Sequence, residues 1–395
     1  MSLDPTVAHR LDTLLAEDDR TRDRRYPGFP ADGQPVHTVY VPADRFAPDT
    51  AARWGAEALA ALDEHGPLVG VVEGVDEHTE TLVRAKLGAE PIEDLRIDFE
   101  DGYGSPDDYT EDTAARAAAT ALSLTTESLP RCIGIRMKSL EGPTRHRGVR
   151  TLDLFLSTLL ESARLPEGFR VTLPKVTSVV QVEAMVELCT ALEQAYGLPE
   201  LRFEIQVETP QAILGADGTA LVAPMIHAAA GRCVGVHYGT YDYSASVEIA
   251  GAYQSMEHPA ADYAKAVMQV AAASTGVPVS DGSTNVLPVG PADEVHAAWQ
   301  LHARLVRRSL ERGFYQGWDM HPAQLPTRFA ATFAFFRAGL PAAAARLRAY
   351  REQTSVGVLD EPATAKALTR FLTRALRCGA TTEEEVTALT GQLTS

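Results

Sequence analysis

The chain has 395 residues, with 36 basic against 53 acidic side chains and a formal net charge of −17. That balance argues against a nucleic-acid partner, which needs a basic surface, and against an anionic membrane face. With 45% hydrophobic and 23% charged residues, the composition is that of a globular protein able to bury a large core.

In chain order, residues 1–36 are polar, rich in Asp and Arg, and end in the Pro/Gly-containing stretch Pro27–Pro35. They predict a short helix and an arm outside the core. Met1 to Arg25 lack the apolar stretch of a secretory signal, and no apolar run approaches the ~20 residues of a spanning helix. A cytoplasmic location is expected. Strands are then predicted at Thr38–Val41, Leu95–Phe99, Cys132–Met137, Arg170–Leu173, Arg202–Val207 and Cys233–His237, with two more at Val277–Ser280 and Gln316–Met320. Helical patterns fall between them, for example at Thr50–Glu64, Asp112–Leu122, Leu152–Ser162, Val179–Tyr196 and Ala260–Ser274, the fourth capped by Thr177 or Ser178.

Such alternation implies right-handed crossovers and a parallel sheet. Eight units are what a TIM (β/α)8 barrel requires, whereas an open doubly wound sheet normally has fewer strands. The barrel is assigned to residues 37–335. From about Pro341 onward the chain reads as helices broken by Gly357, Pro362 and Gly379, a C-terminal helical extension assigned to residues 336–395. Cys132, Cys189, Cys233 and Cys378 are scattered, with no C-x-x-C pair, and read as small buried side chains. Neither a Walker loop, an H-E-x-x-H helix nor a G-x-G-x-x-G turn is present.

Catalytic residues of such barrels sit at the C-terminal ends of strands. Here those ends are polar where a structural strand would continue with Val or Ile. Asp98 and Glu100 are two apart and share a strand face, as do Arg136 with Lys138 and Gln206 with Glu208. Lys175 follows the fourth strand, Gly239-Thr240-Tyr-Asp242 the sixth, and His321 the eighth. A single Asp after a strand is ordinarily a helix cap, but several polar ends converging on one rim point to chemistry. Glu208 and Asp242 can supply the two protein oxygens of an octahedral Mg2+ site. Arg136 is then the natural bidentate partner of a substrate carboxylate. His237 reads as a satisfied rim histidine, Trp318 and Tyr241 as packing, and Tyr103-Gly104 as shaping a loop over the pocket.

The ordered set Val41-Pro42, Asp98-Phe-Glu100-Asp101, Ile135-Arg136, Leu173-Pro-Lys175-Val, Glu208-Thr209, Gly239-Thr-Tyr-Asp242 and His321-Pro-Ala-Gln324 resembles the citrate lyase β-subunit-like (malyl-CoA lyase-like) branch of the HpcH/HpaI aldolase/citrate lyase superfamily. The resemblance implies a TIM barrel holding Mg2+ or Mn2+ on Glu208 and Asp242, with Arg136 on the substrate carboxylate. It implies that Glu100 and Asp101 hold metal waters or the arginine, and that Lys175 is an ion-pair partner. Gln206, Gly239, Thr240 and His321 complete the expected substrate contacts. Gly357-Val-Leu-Asp360-Glu-Pro362 is similar to a C-terminal segment whose aspartate acts as acid/base, often across a subunit interface; a helix cap before Pro362 is the alternative for Asp360. A homo-oligomer, trimer or hexamer, is implied with it.

The implied activity is cleavage or formation of a carbon–carbon bond in a small 2-oxo or hydroxy acid or its acyl-CoA ester. Such a reaction passes through an enolate whose charge a Lewis acid stabilises. Val36-His37 stands where CoA-using members carry Arg-Ser, so CoA enters only as an optional part of the substrate. Other readings are a phosphoenolpyruvate-type phosphotransferase or hydrolase, a Schiff-base aldolase using Lys175 or Lys138, and a non-catalytic binding subunit. Only five of the basic residues are lysines, which weighs towards metal over amine catalysis.

Overall fold

The computed structural model describes residue 4 and residues 6–29, 33–125, 129–352 and 361–391. Eight strands form one sheet: β1 His37–Pro42, β2 Asp94–Asp98, β3 Cys132–Arg136, β4 Phe169–Leu173, β5 Arg202–Val207, β6 Cys233–Tyr238, β7 Val279–Ser280 and β8 Gly317–Asp319. The order is β7-β6-β5-β4-β3-β2-β1-β8 and every ladder is parallel. β7 and β8 share no ladder. Two backbone hydrogen bonds bridge them instead, from Asp281 N–H to Gln316 O at 2.8 Å and from Trp318 N–H to Gly282 O at 3.0 Å. The sheet thereby curls into the expected barrel, and each predicted strand is found with its ends displaced by two residues or fewer.

The outward strand positions, among them Val39, Val41, Ile97, Ile133, Ile135, Val171, Ile205 and Val207, pack in one apolar cluster with the surrounding helices. Those helices form for legible reasons. Thr50–His65 places Trp54, Ala58 and Leu62 at four-residue spacing on its buried face. Asp107 accepts from Thr110 N–H at 2.9 Å and so starts the helix Asp108–Ser123 ahead of the expected Asp112. Ser178 caps Val179–Tyr196, and Gln181 Oε1 accepts from the Ser178 N–H at 3.3 Å. The segment around Tyr253–Asn285, which the family pattern leaves unread, supplies the helix Pro259–Ala272 and β7.

Inside the barrel, branched apolar layers are the rule, but this chain fills the lower interior with charge. Fully buried Arg96 donates to Asp94 Oδ1 at 2.5 Å, to Thr172 Oγ1 at 3.0 Å and to Glu204. Thr38 Oγ1 donates to Asp94 at 2.9 Å and accepts from Gln316 Nε2 at 2.9 Å. Gly134 is required here, because a Cβ would fall 1.7 Å from the Arg170 carbonyl oxygen.

The N-terminal helix Thr6–Arg25 buries no residue, as an arm should. At the other end Pro341, from about which the helical extension is read, lies inside a helix. One helix, Leu325–Arg351, runs through it. An interior proline forfeits one helical hydrogen bond, and packing offsets the loss: Leu340, Ala343 and Leu347 form a small second core with Ala365, Leu372 and Val386 of the helices Pro362–Cys378 and Glu383–Thr390. All four cysteines are free and buried. No described helix is long and apolar enough to cross a membrane.

Candidate active site

The chain leaves β2 through Phe99-Glu100-Asp101-Gly102, which wraps around the carboxylate of Asp98. Asp98 accepts from Glu100 N–H at 3.0 Å and from Gly102 N–H at 2.9 Å, and a Cβ at residue 102 would lie 2.5 Å from Asp98 Oδ2. Arg136, on the adjacent β3, then grips Asp98 with Nε and Nη2, each at 2.6 Å. Its Nη1 stands 3.5 Å from Glu100 Oε2, and the guanidinium lies 4.6 Å from the centre of the Tyr40 ring. The side-on edge expected for a substrate carboxylate is thus taken by Asp98. What remains is the Nη1/Nη2 end.

Lys175 organises the rest. Its left-handed backbone, φ 52°, turns the N–H towards Glu208 Oε1 at 2.7 Å. Its ammonium stands 3.1 Å from Glu100, 2.9 Å from Asp101 and 3.1 Å from Asp242. Burial acts to lower the Lys175 pKa, but Glu208, Glu100, Asp101 and Asp242 together hold it well above its ordinary value. Burial pushes the Glu208 carboxyl up to about 8, with Asp242 and Glu100 adding to the rise against Lys175 and Arg136. Burial likewise lifts Glu100 to about 7 despite Arg136. For Asp101 burial is outweighed by its bond with Glu100 and by Lys175, and the group is lowered.

Small residues make this approach possible. A Cβ on Gly239 would fall 2.4 Å from both Cβ and Oε2 of Glu208, so a glycine must follow β6 for Glu208 to reach the rim. Asp242 projects from the first turn of the helix Thr240–Ser246, whose first residue is fastened by Ser283 N–H donating to Thr240 Oγ1 at 3.2 Å. Lys265, 1% exposed, holds Asp281 at 2.9 Å and so anchors the Gly282–Asn285 loop behind that helix. Gln206, fully buried one step below the rim, places Nε2 3.4 Å from Glu208 Oε2.

Glu100, Asp101, Lys175, Glu208 and Asp242 are therefore gathered, with Arg136 beside them. Lys138 is elsewhere: β3 ends at Arg136, the alternation lapses, and the ammonium bonds Phe99 O and Gly104 O at 2.8 Å each and Glu111 at 3.1 Å. It staples the loop after β2 and does not face the pocket. His321 caps the turn Pro322–Gln324, its Nδ1 accepting from Ala323 N–H at 3.2 Å, and none of its hydrogen bonds reaches the acidic cluster. Asp360 lies outside the described residues. Sequence reading missed Tyr40 and took Trp318 for packing and His237 for the rim; all three line the barrel interior beside Arg136 and Gln206.

Among the described residues no three His, Cys, Asp or Glu side chains form a ready-made metal cage. The donors that do gather are all carboxylate oxygens, the hard ligands that Mg2+ prefers, and Mg2+ commonly takes only one or two of them beside water and substrate. Glu208 and Asp242 fit that role. A cation at the rim would also compensate the Glu208 charge that burial disfavours.

Solved structures share the fold of this chain. A citrate lyase from Burkholderia xenovorans LB400 superposes with a TM-score of 0.61 at 19% identity, over 91% of this chain and 97% of that one. The protein CitE from Mycobacterium tuberculosis, in complex with magnesium, acetoacetate and coenzyme A, gives 0.51 at 18% identity, over 89% and 98%. The magnesium/glyoxylate complex of Haloferax volcanii malate synthase gives 0.51 at 15%, over 90% and 94%. By sequence, residues 15–395 match the family described as Domain of unknown function (DUF6986), and the chain belongs to it. No curated protein matches the sequence.

Proposed function

We propose that this chain is an enzyme, a divalent-metal-dependent carbon–carbon lyase or aldolase acting on a small 2-oxo or hydroxy acid or its acyl-CoA ester. The observation that carries the reading is the convergence, on one rim, of the buried Arg136 with the carboxylates of Glu208 and Asp242, gathered about Lys175. The magnesium-bound neighbours support the same assignment. Glu208 and Asp242 would hold Mg2+ or Mn2+, which when bound supplies Lewis-acid stabilisation of negative charge on a 2-oxo oxygen. The free end of Arg136 orients the substrate carboxylate, while Asp98 and the Tyr40 ring fix the guanidinium plane. Glu100, at about 7, can take up or release a proton near neutral pH beside Arg136 Nη1. Lys175 keeps Asp101 charged and buffers the cluster. Asp360 is the proposed acid/base of the tail, the protein is a cytoplasmic homo-oligomer, and CoA is an optional part of the substrate.

The test is a Mg2+-supplemented screen of retro-aldol cleavage on free 2-oxo acids and acyl-CoA esters, reading pyruvate, glyoxylate and acetyl-CoA as products. Activity that EDTA abolishes and that Glu208→Gln and Arg136→Met both remove is the expected result. Turnover unaffected by Glu208→Gln or by EDTA would overturn the proposal.

A further inference from the structure

Four buried polar atoms in the barrel interior have no hydrogen-bond partner: Tyr40 Oη, Gln206 Oε1, His237 Nδ1 and Trp318 Nε1. Their residues are 2%, 0%, 2% and 7% exposed and come from β1, β5, β6 and β8. They form one layer. The Tyr40 and Trp318 rings are 4.7 Å apart, those of Trp318 and His237 6.5 Å apart, and Gln206 and His237 are Cα partners across β5 and β6. The layer touches both parts of the site above it, through Tyr40 beneath the Arg136 guanidinium and Gln206 Nε2 against Glu208. One layer deeper Asp94, Arg96, Thr172, Glu204, Thr38 and Gln316 all have partners. An unmet buried donor or acceptor costs about 1–3 kcal/mol, so four together mark a place built to receive something.

The polarity of the four atoms defines what fits. Glu204 accepts from Arg96 and lies 3.4 Å from His237 Nε2, so that nitrogen carries the imidazole proton and Nδ1 presents a lone pair. The floor therefore offers two donors, Tyr40 O–H and Trp318 N–H, and two acceptors, His237 Nδ1 and Gln206 Oε1. A carboxylate or phosphate, having no donor, would set its oxygens against both acceptors. A hydroxyl accepts from both donors and donates to one of the two acceptors, so it meets three of the four atoms. We infer that Tyr40, His237, Trp318 and Gln206 form a subsite for a hydroxyl group of the substrate, selecting a hydroxylated 2-oxo acid over one ending in a methyl or a second carboxylate. This inference rests on the proposed function, in which Arg136 and the rim carboxylates hold the other end of the same molecule.

Calorimetric titration of the full chain in MgCl2 tests it without requiring turnover, using pyruvate and 3-hydroxypyruvate, which differ by one hydroxyl. Hydroxypyruvate is expected to bind tighter by about tenfold or more, because a site built around a hydroxyl penalises its loss. Tyr40→Phe and Trp318→Phe should erase most of that difference. Tyr40→Phe removes a single oxygen, so it separates lost recognition from misfolding if His237→Phe does not fold. Equal binding of the two acids, unchanged by the variants, would overturn the inference, leave the floor as a site for ordered water, and leave the metal and arginine reading standing. Binding of neither acid would overturn both.

Discussion

Replacing Lys175 with methionine keeps the stem and its left-handed backbone but removes the ammonium that Glu100, Asp101 and Asp242 share at 2.9–3.1 Å. Breaking a buried ion pair by deleting one partner costs about 3–5 kcal/mol. Asp101 and Asp242 are 54% and 43% exposed, so water screens their share to the surface range of about 0–1 kcal/mol. The buried Glu208, which feels the ammonium through space, and Glu100, at 7% exposure, carry most of the effect. A net loss of about 2–3 kcal/mol at a pH above 8 follows. If the cluster is a cation site, Mg2+ at about a hundred times its dissociation constant restores about 2.7 kcal/mol. Urea denaturation of Lys175→Met and the parent, with and without MgCl2 at constant ionic strength, reads both numbers. The deficit should appear without metal and close with it, while the parent gains less because Mg2+ must compete with its own ammonium. A variant as stable as the parent without metal, or an equal Mg2+ effect on both, would refute the electrostatic account.

Gly239→Ala would force Glu208 aside, and Mn2+ binding followed by electron paramagnetic resonance should weaken by about tenfold or more with little change in the far-ultraviolet dichroism; undiminished binding would remove Glu208 from the ligand set. Glu208 and Glu100 hold protons at about 8 and about 7 in the folded chain, against 4.5 for an ordinary glutamate. Their contribution to stability is full below pH 4.5 and is lost as pH rises through 7 and 8, so the metal-free urea midpoint should fall over that range and fall less in Glu208→Gln. A midpoint that rises there contradicts the shifts. Lys265→Met strands the buried Asp281 with Ser309 as its side-chain partner at 2.6 Å and should cost about 3–5 kcal/mol in the same assay, with faster proteolysis of the Gly282–Asn285 loop; a loss below about 1 kcal/mol would show that Asp281 is satisfied without it.

The strands were legible because their outward positions repeat every second residue in Val, Ile and Leu, a signal that survives without knowledge of neighbours. The helix Val179–Tyr196 was legible to the residue because its cap, Ser178 with Gln181, is local. The acidic rim was legible for the same reason, since a strand end is a local event. Pairing across the barrel was not. Nothing near Arg136 announces that Asp98 takes its side-on edge, and the two-residue rule misplaced Lys138 because β3 stops two residues earlier. The floor of Tyr40, His237 and Trp318 is assembled from three distant strands, and each residue alone looks like packing. Pro341, from about which the extension is read, sits inside the helix Leu325–Arg351, whose flanking Leu340 and Ala343 pack in the second core.

The seam between β7 and β8 has a consequence for motion. β7 is two residues long and is laddered to β6 by two residue pairs, so the hoop is held at one place by two bridging amides where every other junction has a ladder. Spontaneous opening of a closed ring begins where fewest bonds must break together. The amides of Asp281 and Trp318 should therefore exchange with deuterium ahead of those in β2 to β5. Because Trp318 belongs both to that weak stave and to the floor beneath Arg136, each opening would let water reach that floor from the side rather than past the acidic rim.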